Sequence, residues 1–271
     1  MSWLGYAFRF LQFPLGVFAA ALASATLPAI SRSAALGRVD EFRATLAGSL
    51  RMVLLLTIPS SVGLAALGES MIGAVHQGGR FGAFDTHQTA VALACYSVGL
   101  AGFAAMKLLA PAFYALDDAW TPMAVSLASI GLNLALAVGL TRGMRMGYAG
   151  LALATSLVAL ASAAALAAAL GRRIAGFEGR RLASSAAKIT LAAIAMGAVC
   201  RVSSVTIHTW LRGARLPHLA DLAVSIPLGV AIFFVIARTL RIPELCTLEA
   251  ACYTAISHAR RPEAGDPPAR D

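Results

Sequence analysis

The stretch Leu151–Leu170, LALATSLVALASAAALAAAL, decides the fold. It runs for twenty residues without one charged side chain, and a helix of that length crosses about 30 Å of hydrocarbon. Working outward from it, further apolar blocks recur along the chain. Seven segments can be read, at roughly 4–30, 50–75, 88–115, 121–141, 147–170, 184–207 and 218–240. No alternating strand pattern is present, which argues against an outer-membrane barrel. In lipid each backbone polar group must be satisfied inside its own segment, so the sequence predicts an all-α integral membrane protein, a bundle of about seven transmembrane helices. The expected breakers between segments are Gly37, Gly78–Gly79, Pro122, Gly143, Gly171 and Pro217.

Composition agrees. Of 271 residues, 59% are hydrophobic and 13% charged, with a mean hydropathy of +0.75; a soluble domain carries about 25% charged residues. The net charge of +9 does not point to nucleic acid, because the basic residues sit between apolar blocks instead of forming one stripe with interleaved aromatics. Cys95, Cys200, Cys246 and Cys252 lack metal-ligand spacing and read as plain thiols. The histidines (His76, His87, His208, His218 and His258) show no HExxH pattern and no acidic partner nearby in sequence. There is no phosphate-binding glycine loop. No catalytic residues, no metal site and no cofactor are expected. A lone acidic group at mid-membrane, as in a proton relay, is not visible.

Orientation follows from the basic residues. Fourteen fall on one side: Arg32, Arg38, Arg43 and Arg51; Arg172, Arg173, Arg180, Arg181 and Lys188; Arg238, Arg241, Arg260, Arg261 and Arg270. Six fall on the other: Arg80, Arg142, Arg145, Arg201, Arg212 and Arg215. The richer side is expected to be cytoplasmic, with the N-terminus outside and the C-terminus inside. An outside start with no basic region ahead of it leads us to expect that a preceding segment is missing. The tail 242–271 is polar and reads as disordered, with room for a short surface helix at 244–257.

Two basic residues lie within apolar blocks. Arg9 sits in YAFRFLQFP (6–14) and Lys107 in AAMKLLAP (104–111). A charge at bilayer depth costs at least about 2.5–3.5 kcal/mol on insertion scales, so it is expected to face a cavity or a partner. On the first segment Arg9, Gln12, Gly16, Ala20 and Ser24 recur three and four apart, a polar and small-residue face. The alternative is that Arg9 snorkels to the headgroups. Lys107, one turn before Pro111, either lines a pocket or pairs with a carbonyl or with Asp117. Two such cations suit an anionic headgroup such as a diphosphate.

Three stretches carry a resemblance. They are YAFRFLQFPLGVF (6–18), continuing through ALA (21–23) to LPAIS (27–31); GRFGAFD (79–85); and KLLAPAFYALDDAWTP (107–122), the most specific. In order and spacing they resemble the MurJ (MviN) family of lipid II flippases, within the larger group of multidrug and polysaccharide exporters. The resemblance implies a fold of fourteen helices: two six-helix lobes around a cationic cavity, and two more helices forming a lipid-accessible groove. This chain resembles the eighth to fourteenth. It then divides into a five-helix bundle at 1–170, two additional helices at 171–241 and a cytoplasmic tail at 242–271, with the first lobe missing.

Carried over residue by residue, Arg9 matches a cavity arginine used for lipid II, and Gln12 stands where many relatives have an acidic residue. Lys107 matches the family's lysine, and Phe8 replaces an Asp common beside the arginine. Arg80 and Asp85 match an outer-loop motif that either caps a helix or gates. The expected substrate-binding residues are therefore Arg9, Gln12 and Lys107, and the loop residues are Arg80 and Asp85. The implied function is translocation of undecaprenyl-diphosphate-linked peptidoglycan precursor across the bacterial inner membrane by alternating access. The expected partners are lipid II, the bilayer, and a separate N-terminal half or a homo-oligomer. Alternatives are export of a related lipid-linked oligosaccharide, a non-transporting scaffold, or, least favoured, a membrane glycosyltransferase.

Overall fold

The computed structural model describes residues 2–76, 81–174, 179–210 and 217–240. Every regular element among them is a helix. The chain opens with α1 (Trp3–Pro14), a π-helical turn Leu15–Ala20 and α2 (Ala21–Ala35), which together form one span of 33 residues. Next come α3 (Val39–His76), α4 (Ala83–Ser97), α5 (Leu100–Ala115) and α6 (Trp120–Val138), the last with a π-helical end at Gly139–Gly143. The remaining helices are α7 (Gly147–Arg173), α8 (Gly179–Trp210) and α9 (Pro217–Thr239). Six helices are long and apolar enough to cross a membrane, or seven when α4 and α5 count as one bent span. The protein is a multi-pass helical membrane protein.

Several boundaries differ from the sequence expectation. α3 starts at Val39, well before the predicted 50, because Asp40 and Glu41 favour the positive N-terminal end of a helix. Phe42, Leu46 and Leu50 then bury one face of it. An apolar window measures the membrane, and this helix continues past it. Gly171 breaks nothing: α7 runs through it to Arg173. Pro122 lies inside the first turn of α6, where a missing N–H costs nothing. Gly37 does turn the chain, with φ +66, and Pro217 does start α9. Gly78–Gly79, the tail 242–271 and its expected helix at 244–257 lie outside the described residues.

The third expected segment, 88–115, is two helices meeting at 43°. Its cause lies in other helices. Ser156 of α7 donates its hydroxyl to the carbonyls of Cys95 (2.8 Å) and Tyr96 (3.0 Å), and Ser61 of α3 donates to that of Ser97 (2.6 Å). Carbonyls released by the bend are thus satisfied away from water, which lipid requires. Gly99 lets α7 approach: a Cβ there would lie 2.6 Å from the Ser156 Cα.

The main core gathers α1, α3, α4, α5 and α7 around Leu11, Phe42, Leu93, Leu108 and Phe113. α8 and α9 pack on each other and on α3, with Leu55, Ile189 and Ala237 at one level and Leu67, Met196 and Cys200 at another. Small residues set these distances, as Gly229 does against the Cys200 sulfur. α6 is peripheral and buries only Pro122.

Candidate functional site

Arg9 lies six residues into α1 from Trp3, about 9 Å along the helix. Ala7 and Leu11 on either side face the core, so Arg9 and Gln12 project from the exposed face. Arg9 makes no ion pair or hydrogen bond among the described residues. It lines a cleft of about 310 Å³ with Phe10, Phe13, Pro14, Leu64, Met71 and His76. Phe13, Pro14, Leu64 and Met71 also line a second space of about 320 Å³, which reaches Met196, Cys200, Ile226 and Gly229 on α8 and α9. The two share a wall, so one groove runs from a guanidinium into apolar surface. The Arg9 end is walled by His76, whose ring meets Tyr6 at 4.9 Å, Phe10 at 5.7 Å and Phe81 at 6.0 Å. Phe8, where the resemblance expects an acidic residue, instead packs edge-on against Tyr96 at 5.7 Å.

Such a groove fits an amphiphile with an anionic head and a long apolar chain. Moving that chain from lipid into the groove gains little, since the bilayer is equally apolar. Selectivity must therefore come from the charged end, where Arg9 can offer a fork of donors to phosphate oxygens.

The other expected residues are placed differently. Lys107 is exposed on α5, lines neither space, and has no ion pair or hydrogen bond among the described residues, with Asp117 included. Asp85 accepts from the Gly82 amide (3.1 Å), capping α4, and from the Trp3 indole (2.9 Å), tying α4 to the start of α1. Trp3 in turn meets Tyr148 of α7 edge-on at 5.4 Å. Arg80 lies outside the described residues.

A matching knot closes the far end of the bundle. Asp118, 7% exposed, accepts from the Thr121 amide (3.0 Å) and hydroxyl (2.7 Å), and pairs with Arg173 at the end of α7. The Thr121 hydroxyl, then its amide, and the Arg173 charge hold the Asp118 carboxyl below the ordinary carboxylate range, against the opposing effect of burial. Arg43 of α3 joins this end by donating to the Ile174 carbonyl.

One cluster escaped the sequence reading. His208 and His218 lie within helices, and His208 does have an acidic partner: its Nε2 is 3.4 Å from Asp221 Oδ2. Asp221 is fully buried and accepts hydroxyls from Ser70, Ser204 (2.6 Å) and Ser225 (2.7 Å). His87 similarly faces Glu69 at 3.7 Å. Only the Ser225 spacing, four residues after Asp221, was there to be read; the other partners lie far away in sequence.

Known proteins share this architecture. A family model described as lipid II flippase MurJ matches residues 1–220. The chain is 33% identical over 251 residues to a "Probable lipid II flippase MurJ" of Vibrio cholerae, covering 93% of this chain and 47% of that protein. With the Haemophilus influenzae protein of the same description it is 31% identical over 219 residues, 78% of this chain and 42% of the relative. A solved structure, "Lipid II flippase MurJ, inward closed conformation", superposes with a TM-score of 0.69 at 25% identity, over 88% of this chain and 46% of the other. The chain spans about half the length of the curated relatives it matches. With a family model over most of its residues and a shared fold beneath it, the chain belongs to the lipid II flippase MurJ family.

Proposed function

We propose that this chain forms the second lobe and the groove helices of a lipid II flippase. In this reading it carries undecaprenyl-diphosphate-linked peptidoglycan precursor from the inner to the outer leaflet of the bacterial cytoplasmic membrane. The observation that carries it is Arg9, without a partner among the described residues, at one end of an apolar groove that opens between α1, α3, α8 and α9. Arg9 takes the diphosphate and the groove takes the isoprenyl chain. The role is that of a transporter and not of a catalyst.

Alternating access rocks one lobe against another around a central site. The exposed face of Arg9, Gln12 and Gly16 is then the wall that meets a first lobe or a second copy of this chain. Lys107, exposed within a membrane span, belongs to that wall as a second cation. Asp85 belongs to the outer rim, where it fastens α1 to α4. The division into a bundle at 1–170 and two added helices at 171–241 is supported by α8 and α9 packing chiefly on α3. The fourteen-to-six distribution of basic residues supports an outside N-terminus and a cytoplasmic C-terminus.

The test is rescue of flippase-depleted cells by the assembled protein, with accessibility of lipid II in the outer leaflet as the readout. Arg9→Ala is expected to lose rescue and Arg9→Lys to retain part of it, while Gly5→Ala, which meets nothing within 4 Å, rescues fully. Full rescue by Arg9→Ala at normal protein level would overturn the assignment.

A further inference from the structure

We propose that Asp221 and His208 form a proton-binding site that latches α8 and α9 to α3 and controls the opening of the apolar groove. Three helices converge on one carboxylate. Ser70 comes from α3, Ser204 and His208 from α8, and Ser225 from the same helix as Asp221. Asp221 has no exposed surface, and a buried carboxylate is tolerable only when donors surround it. Here every donor comes from the elements being held together.

A route for protons is present. A cavity of about 310 Å³ is lined by Glu69, Ser70, Arg201, Ser204, His208 and His218, and Ser70, Ser204 and His208 among them are partners of the carboxylate. His208 and His218 stand 5.1 Å apart, ring to ring. Glu69 on the cavity wall pairs with His87 at the surface, and the two are 45% and 61% exposed. Exchangeable groups thus lead from the surface to Asp221. The ionisable groups facing the site are Glu69 from α3, Arg201, His208 and the Cys200 thiol from α8, and His218 from α9.

A metal ion is a poorer occupant. Among the described residues no three His, Cys, Asp or Glu side chains converge as ligands, and the serine hydroxyls turn protons, not lone pairs, toward the carboxylate.

A proton from the aqueous phase adds to one carboxylate oxygen, forming an O–H bond and discharging Asp221. At least one serine then loses its charged acceptor, and the His208 Nε2 at 3.4 Å no longer faces a carboxylate charge. Asp221 sits one turn before Ser225, which lines the groove. The Ser225 carbonyl is the acceptor for the Cys200 thiol at 3.5 Å, and Cys200 abuts Gly229 in the same wall. Loosening at Asp221 therefore reaches the contact between α8 and α9 that closes the groove. This goes beyond the transport reading and does not depend on the cargo; Asp221 also lies one residue past the family match, which ends at 220.

Two readouts on the full-length chain in lipid nanodiscs test it, neither using a lipid-linked diphosphate. The first is infrared difference spectroscopy between neutral and acid pH. Among the carboxyl bands that rise in the wild type, one component is expected to be lost in Asp221→Asn and to persist in His208→Gln. The second is maleimide labelling of Cys200 in a background with Cys95, Cys246 and Cys252 changed to Ala. Asp221→Asn mimics the protonated form and is the reference at each pH; because the Asp221 charge also acts on the thiol, both rates are first divided by the thiolate fraction read from ultraviolet absorbance. The wild type is expected to label about tenfold more slowly at high pH, as loss of a charge-assisted hydrogen bond implies, and to converge with Asp221→Asn in acid. In His208→Gln that convergence moves along the pH axis. A ratio that stays constant with pH, a set of carboxyl bands unchanged in Asp221→Asn, or a His208→Gln profile that superimposes on the wild type would each overturn the proposal. Should Asp221→Asn fail to fold, Asp221→Ser takes its place as the uncharged reference in both readouts.

Discussion

Gly102→Ala should be among the most damaging single methyl groups that can be added to this protein. A Cβ on Gly102 would lie 2.7 Å from both the Ala159 carbonyl carbon and the Leu160 nitrogen of α7. These are backbone atoms and cannot swing aside. Reaching an ordinary separation of about 3.5 Å requires α5 and α7 to part by about 0.8 Å. Ser156, one turn before Leu160 on α7, carries the bonds to Cys95 and Tyr96 at the end of α4, now 2.8 and 3.0 Å long. A shift of that size carried along α7 to Ser156 would stretch them to about 3.6 and 3.8 Å, beyond hydrogen-bond range, and strand carbonyls where no water can replace the donor. Overpacking alone costs about 1–3 kcal/mol, and a stranded buried acceptor adds about 1–3 kcal/mol. A total of about 2–6 kcal/mol follows. The assay is unfolding by SDS titration in mixed micelles, followed by far-UV circular dichroism. Gly131→Ala on α6 meets nothing within 4 Å and serves as the control, expected to be neutral. Ser156→Ala removes the bonds without the clash and should fall between them. If Gly102→Ala unfolds at the same midpoint as Gly131→Ala, the close approach of α5 to α7 is not what holds the bend.

At the other end, Asp118 should make stability depend on pH in acid. Its carboxyl sits below the ordinary value in the folded protein, so its contribution is complete above about pH 4 and is lost as pH falls through the lower folded value. Asp118→Asn should flatten that part of the unfolding-midpoint profile and meet the wild type at the acid extreme. Lys107→Leu should leave the midpoint unchanged to within about 0.5 kcal/mol, because the lysine has no partner among the described residues, while lowering transport in the rescue assay. A loss of stability there would mean that Lys107 serves the bundle and not the cargo.

The sequence contains what the membrane demands and little of what helices demand of each other. Each apolar block became helical, because that signal is local and hydrocarbon enforces it. Gly37 and Pro217 acted as expected because their backbone constraints are their own. The bend at Val98–Gly99 was not legible, since Ser61 and Ser156 fix it from two other helices. Gly171 misled for the opposite reason: within apolar surroundings the helix continues through a glycine. At the site, Arg9 stood out as a charge where charges are costly, and the structure gives it an open cleft. Asp221 sits near a segment end, where acidic residues are ordinary, and only the fold brings Ser70 to it across 151 residues of sequence.

The π-helical turn at Leu15–Ala20 has a bearing on how length variation in this span should be read. Ala7, Leu11, Leu15 and Ala19 are all buried and fall four apart; in a regular α-helix such a row drifts about 40° at every step. The wider turn slows that drift and keeps the row on the core. One codon lost between Leu15 and Ala20 would let the turn relax to ordinary pitch, and the two changes nearly cancel, since five residues at α pitch turn about as far as six in the wider turn. Hydropathy, topology and span number would survive, and Arg9 would keep its cleft. A one-residue gap in an alignment is therefore silent at this turn, whereas the same gap elsewhere in the span rotates everything before it by about 100°.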